Sequence, residues 1–217
     1  MDLVLFYKKY KRILEIVHFI CLFLAFIIVP GTTSCDHQPD SNKKKKNNTY
    51  LPIDCNENYC FDPNSSLTWS NNEKSTKNGN WNDANQYCYE LKIIIDGYSE
   101  WRLPTIDELR TIIRRCPNTE KDGDCSVTSN CTELSCWNYN NCRCPDIAVT
   151  PDNCPYAPTI SFSECPEFWS ATPVTGKIDG YWSGYSKKWY WVAGFIMAQI
   201  EFIPAEIKKN IICVINN

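Results

Sequence analysis

At 217 residues, 43% of them hydrophobic and 13% aromatic, the chain has material for one good-sized domain with appendages and not for two full domains. Its formal net charge of −3 argues against nucleic acid as a main partner, because phosphate binding needs a basic face.

The first residues read as export equipment. Lys8, Lys9, Lys11 and Arg12 precede an apolar run from Ile16 to Val29 in which His18 is the one polar residue. That run of 14 residues is shorter than the roughly 20 needed to span a bilayer. Residues 1–34 are therefore expected to form a signal peptide. An uncleaved anchor stays open, because Ile13 and Leu14 lengthen the run if Glu15 is tolerated. Gly31-Thr32-Thr33-Ser34-Cys35 suits lipid attachment to Cys35 of a mature lipoprotein. Thr32, however, stands where a lipobox has a larger aliphatic residue, so simple cleavage is the alternative and Cys35 is then a thiol in a flexible tail. Losing residues 1–34 removes four basic and two acidic residues and takes the formal charge from −3 to −5. Residues 35–52, polar and carrying Lys43, Lys44, Lys45 and Lys46, are expected to be a flexible, solvated tether. Beside a lipid anchor the four lysines would meet anionic headgroups.

The folded part is expected over residues 53–217. Cys55 and Cys60 are close enough in sequence for a local hairpin staple, and Leu67-Thr68-Trp69 reads as a strand. After a polar loop, Asn80 caps a first helix whose Trp81, Ala84, Tyr87, Cys88 and Leu91 fall on one face. Further on, Pro104 biases Leu103 to an extended conformation, and Thr105 with Glu108 three residues later forms a capping box. Ile106, Leu109, Ile112, Ile113 and Cys116 then draw a buried stripe along a helix of about three turns, ending at Cys116-Pro117.

Residues 116–165 are irregular and hold Cys125, Cys131, Cys136, Cys142, Cys144 and Cys154 among several prolines. They read as a disulfide-stapled insertion, with too little apolar periodicity for a core of its own. Such a loop on a rigid scaffold is a candidate binding surface, with a merely stabilised loop weighed equally. Setting aside Cys21 and Cys35, twelve cysteines remain, an even set that with an export signal favours disulfides. Cys55, Cys60, Cys88, Cys116, Cys165 and Cys213 are the framework candidates, with connectivity in 116–165 undefined by spacing. Zinc is the lesser alternative, prompted by Cys142-Arg143-Cys144, since no paired Cys-x-x-Cys knuckles occur and the mature chain's histidine, His37, lies in the tether. Downstream, 168–172, 181–182, 188–192 and 211–215 are strand formers. An antiparallel sheet with two helices packed against it, an α+β fold, is expected.

Asp96-Gly97-Tyr98-Ser99-Glu100-Trp101-Arg102-Leu103-Pro104-Thr105-Ile106-Asp107-Glu108-Leu109 resembles the Trp-Arg-Leu-Pro-Thr-x-x-Glu-Leu signature of the Lcl C-terminal domain family, a bacterial domain found in surface adhesins. Leu67-Thr68-Trp69, Trp81-Asn82-Asp83-Ala84-Asn85-Gln86-Tyr87-Cys88 with Leu91, Phe168-Trp169-Ser170 and Cys213-Val214 resemble the rest of its pattern in the same order. The resemblance implies a C-type-lectin-like fold, akin to that of the sulfatase-modifying factor family. It also implies a disulfide from Cys88 to Cys213. This chain departs from the family pattern in having Ile212 and Ile215 where arginines flank the last Cys-Val pair, which weakens the expectation of a basic ligand-binding edge. Trp81-Asn82-Asp83 also resembles a calcium-binding lectin triplet, but it opens the first helix instead of preceding the last strands, so no metal site and no cofactor are expected.

The folded region contains no histidine, so a Ser-His-Asp or Cys-His arrangement cannot be assembled there. Asp107 and Glu108 diverge around a helix and suit capping over paired-carboxylate catalysis. Tyr181, Trp182, Tyr185, Trp189 and Tyr190 offer rings for stacking on sugars, although Trp189 and Trp191 alternate along a strand as core residues do. The expectation is an exported, non-enzymatic, lipid-anchored binding module of the bacterial cell envelope, with an extracellular glycan or a surface protein as partner. The glycan expectation rests on resemblance to adhesin domains. The alternatives are a structural or protein-binding envelope lipoprotein and, since the sulfatase-modifying relatives act through a cysteine pair, a thiol-dependent oxidoreductase, which needs a free reactive thiol.

Overall fold

The computed structural model describes residues 50–71, 77–95, 97, 99–144, 165–176, 178 and 188–216, all of them within the unit Asn48–Asn217. The apolar run, Cys35, the four lysines, Tyr181, Trp182 and Tyr185 lie outside the described residues.

Short strands open the described region. β1 (Asp54–Cys55) and β2 (Tyr59–Asp62) form a hairpin in which Cys55 faces Cys60, and the two are disulfide-bonded. β3 (Leu67–Ser70) follows, with Trp69 fully buried. After β4 (Asn78–Gly79) comes α1 (Trp81–Glu90), capped as its sequence demands: Asn80 accepts from the Asp83 amide and the Asp83 carboxylate accepts from the Asn80 amide. These bonds satisfy free amides of the first turn. A Cβ on Gly79 would sit 2.8 Å from that of Asp83, so the approach of β4 to the cap needs glycine.

α2 (Ile106–Ile112) carries the second capping box, between Thr105 and Glu108. It has seven residues and ends earlier than the expected Cys116. Ile113 leaves the helix with φ −74° and ψ 130°. The turn away lets Arg114 reach Asp62 at 3.4 Å and Cys116 bond to Cys144, so tertiary partners end a helix that apolar spacing alone would continue. All five apolar positions of the stripe are buried nonetheless.

β5 (Glu167–Pro173), β6 (Trp189–Gly194), β7 (Gln199–Pro204), β8 (Lys209–Asn210) and β9 (Val214–Asn216) complete the elements. The described strands form two sheets, one of them mixed where purely antiparallel pairing was expected. One has the order β1-β2-β3-β9, the other β4-β8-β5-β6-β7, in which β5 and β8 are parallel. β7 falls where the sequence reading assigned no strand, although Gln199-Ile200-Glu201-Phe202 alternates polar and apolar. The expected strand at 211–215 begins only at Val214. Before it, the Ile211 amide donates to the Lys77 carbonyl and the Cys213 amide to Ser70 Oγ as the chain passes from the second sheet to the first.

Alternation along β5 and β6 splits the core. Phe168 and Trp191 join Ile106, Leu109 and Trp69 in one cluster, while Trp169 and Val192 join Ala84, Cys88, Trp101 and Leu103 in the other. The fold is α+β and disulfide-rich. The insertion is not held by crosslinks alone: Cys125, Val127, Cys136 and Cys142 enter the first cluster, so its described part shares the main core.

Candidate functional site

The Trp101–Thr105 segment ties the two sheets together. Arg102 and Val214 exchange amide-to-carbonyl hydrogen bonds of 3.1 and 2.9 Å, which sets Arg102 beside β9. Two residues on, the Pro104 carbonyl accepts from the Ala171 amide at 2.7 Å, and the Ile106 amide donates to Thr172 Oγ1 at 2.9 Å, both on β5. Trp101 is buried and its indole N–H donates to the Ile93 carbonyl. Arg102 forks onto Glu108, Nη1 to Oε2 at 2.8 Å and Nη2 to Oε1 at 2.6 Å, and Nη2 also donates to Asn216 Oδ1. The hydrogen bond to Glu108 raises the Arg102 pKa against its partial burial. Burial pushes the Glu108 carboxyl up, but hydrogen bonds from Arg102 and Thr105 outweigh it and hold the group below its ordinary value.

On the outer side of this segment lies a cleft of about 600 Å³, lined by Tyr89, Lys92, Ser99, Glu100, Arg102 and Asn216 over Trp101 and Ile215. Tyr89, near the end of α1, is 79% exposed. Lys92, Ser99, Glu100 and Asn216 are exposed as well. The cleft thus joins an open aromatic face to several short-range donors and acceptors, an arrangement suited to recognition of a polar ligand with apolar patches.

A second cleft, of about 550 Å³, lies on the insertion and is lined by polar groups including Asp107, Lys121, Asp122 and Asn130. Its wall is organised from beneath by Arg110, a buried cation. Its Nε donates to the Thr119 carbonyl at 3.0 Å, Nη1 to Val127 at 2.7 Å and Nη2 to Glu120 at 2.9 Å. Burial lowers the Arg110 pKa, partly offset by Asp107 and Asp122. Three carbonyls on one guanidinium give the loop a single shape, a task no feature of the sequence announced.

Of the aromatic residues singled out in the sequence, Tyr181, Trp182 and Tyr185 lie outside the described residues, and the described Trp189 and Tyr190 line neither cleft. Trp189 is 6% exposed and packs on Phe202, which leaves little ring face for a ligand. Tyr190 is half-buried on the opposite face of β6, stacked on Trp81 with centroids 4.0 Å apart and edge-on to Trp169. Burial raises the Tyr190 phenol. Tyr89 was missed because it lies within an amphipathic helix, where exposure rather than residue type marks it. Trp81-Asn82-Asp83 serves the helix start: the Asp83 carboxylate is a cap, and the Trp81 indole donates to the Ser170 carbonyl. Glu201, whose carboxyl is raised by burial and by Glu167 against the pull of Lys209 and Arg143, lines neither cleft.

Every described cysteine is disulfide-bonded. Cys88 pairs with Cys213, Cys116 with Cys144, Cys125 with Cys142 and Cys131 with Cys136. Cys165 is bonded too. The cysteines that suggested zinc are therefore consumed in pairs. Such a framework suits folding in an oxidising, extracytoplasmic compartment. Among the described residues no helix is long and apolar enough to cross a membrane.

A family model described as the Lcl C-terminal domain matches residues 58–214. No curated protein matches the chain.

Proposed function

The chain belongs to the Lcl C-terminal domain family, and on that premise we propose that it is an exported, non-catalytic binding module of the bacterial cell surface, with a C-type-lectin-like fold and an extracellular carbohydrate polymer as ligand. The observation that carries the reading is the cleft beside the Trp101–Thr105 segment, where an exposed tyrosine faces convergent polar groups over an apolar floor. Sugars present the same mixture of apolar faces and hydroxyls. Lipid attachment at Cys35 is the proposed means of holding the module at the membrane. Disulfide pairing of the described cysteines supports a non-catalytic role, since the thiol chemistry of an oxidoreductase needs a thiolate. The test is binding of the purified full-length chain to an array of neutral and anionic glycans; retention on at least one class is the expected result, and silence across the array refutes the reading.

Exposed Tyr139, Ile196 and Met197 favour a second reading, a protein-binding envelope module. Tyr139 stacks under Arg143, and the Cys144 amide donates to the Met197 carbonyl, so these side chains belong to one region around the β6–β7 hairpin. Crosslinking to an envelope protein with no glycan binding would select this alternative.

A further inference from the structure

We infer that the cleft beside the Trp101–Thr105 segment is specific for uncharged saccharides, with Tyr89 as the stacking platform and Glu100, Lys92 and Asn216 as the groups that read hydroxyls. The inference rests on the carbohydrate reading above and adds the site and the charge class.

Tyr89 is the first support. Ala84 and Cys88 mark the buried face of α1, and both are fully inaccessible, whereas Tyr89 is 79% exposed. Its ring is not recruited to the core. Tyrosine gives wide contact area with few rotatable bonds, so holding its ring against a sugar face costs little ordering entropy. Trp101 and Ile215, 3% and 4% exposed, are core side chains that fix the floor of the cleft and leave contact with the sugar face to Tyr89. The volume, about 600 Å³, lies within the range of about 300–1,000 Å³ usual for ligand clefts.

Charge decides the class. Two cations line the cleft, Lys92 and Arg102. Arg102 is already neutralised: both oxygens of Glu108 hold its guanidinium, and Asn216 takes a further hydrogen from Nη2. Its fork is therefore not open to a bidentate sulfate or carboxylate. Lys92 is balanced by Glu100 on the same lining. The described lining thus has no net charge to attract a polyanion, and the mature chain, of formal charge −5, repels one at longer range. A hydroxyl both donates and accepts, so it matches a lining of carboxylate, ammonium, serine hydroxyl and amide without needing excess charge.

The test uses the full-length chain on immobilised neutral oligosaccharides and on sulfated and uronic-acid oligosaccharides, at low and at physiological salt. Binding is expected on neutral probes and to change little with salt. Tyr89→Ala should weaken it about tenfold while Tyr89→Phe keeps it. Leu51→Ala, at an exposed apolar side chain outside this cleft, should leave it unchanged. Since Tyr89 is exposed, an unaltered unfolding midpoint will show that the variant folds. Neutral-glycan binding that survives Tyr89→Ala overturns the site while sparing the carbohydrate reading. Binding restricted to anionic probes and lost steeply with salt overturns the charge class. No binding to any probe removes the underlying reading and this inference with it.

Discussion

Arg102 and Glu108 clasp each other through two hydrogen bonds, and the same Glu108 carboxylate accepts the Thr105 amide at 2.7 Å. One side chain thereby caps α2 and fixes the guanidinium that borders the cleft. Because the Glu108 pKa is lowered in the folded state, its charged form contributes stability that is complete above the unfolded value of about 4.3 and is lost as pH falls through the folded value. Glu108→Gln, which retains a capping acceptor but no charge, should therefore reduce the loss of stability on acidification. Urea midpoints of both proteins measured between neutral and acidic pH check this; parallel curves would refute it.

Asp62 and Arg114 form a buried pair at 3.4 Å, and Asp62 also accepts from the Asn64 amide and side chain and from Ser65 Oγ. Tyr50 covers the arginine, with its ring 4.2 Å from the guanidinium carbon, and donates its hydroxyl hydrogen to Glu120. Removing either charge leaves the other buried without its partner. Arg114→Ala should cost about 3–5 kcal/mol, and the double substitution with Asp62→Ala less than the sum of the two single ones. A denaturation double-mutant cycle measures both quantities.

Arg110→Met keeps most of the side-chain volume but strands the three carbonyls of Thr119, Glu120 and Val127. A loss of about 1–3 kcal/mol is expected. Hydrogen exchange should accelerate at residues 117–128 while the α1 amides keep their protection. Uniform acceleration throughout the domain would show that Arg110 supports the core and not the loop.

Cys88–Cys213 closes 125 residues of separation and Cys55–Cys60 only five. On the chain-entropy account the former contributes about 4–5 kcal/mol and the latter about 2 kcal/mol. Replacing both members of each pair by alanine should lower the melting temperature more for Cys88–Cys213. The reverse order would mean that native-state effects outweigh loop closure.

Much of the local structure was legible because its causes are local. Asn80 and Thr105 start helices with their own side chains, and Cys55 lies within hairpin reach of Cys60. What escaped was decided by distant partners. The end of α2 depends on Asp62 and Cys144, neither of which is near it in sequence, and periodicity contains no information about them. The cleft escaped for the same reason: Tyr89, Arg102 and Asn216 come from a helix, an extended segment and the last strand.

The sequence by itself determined the helix starts, the buried stripe, an even cysteine set and the motif order of the Lcl C-terminal domain family, since short-range capping and apolar periodicity act between near neighbours. Only the tertiary structure decided that the strands divide between two sheets, which cysteines of the insertion meet, and that Tyr89 is exposed while Trp189 is buried. Burial is a property of packing around a side chain, so residue type alone does not decide it.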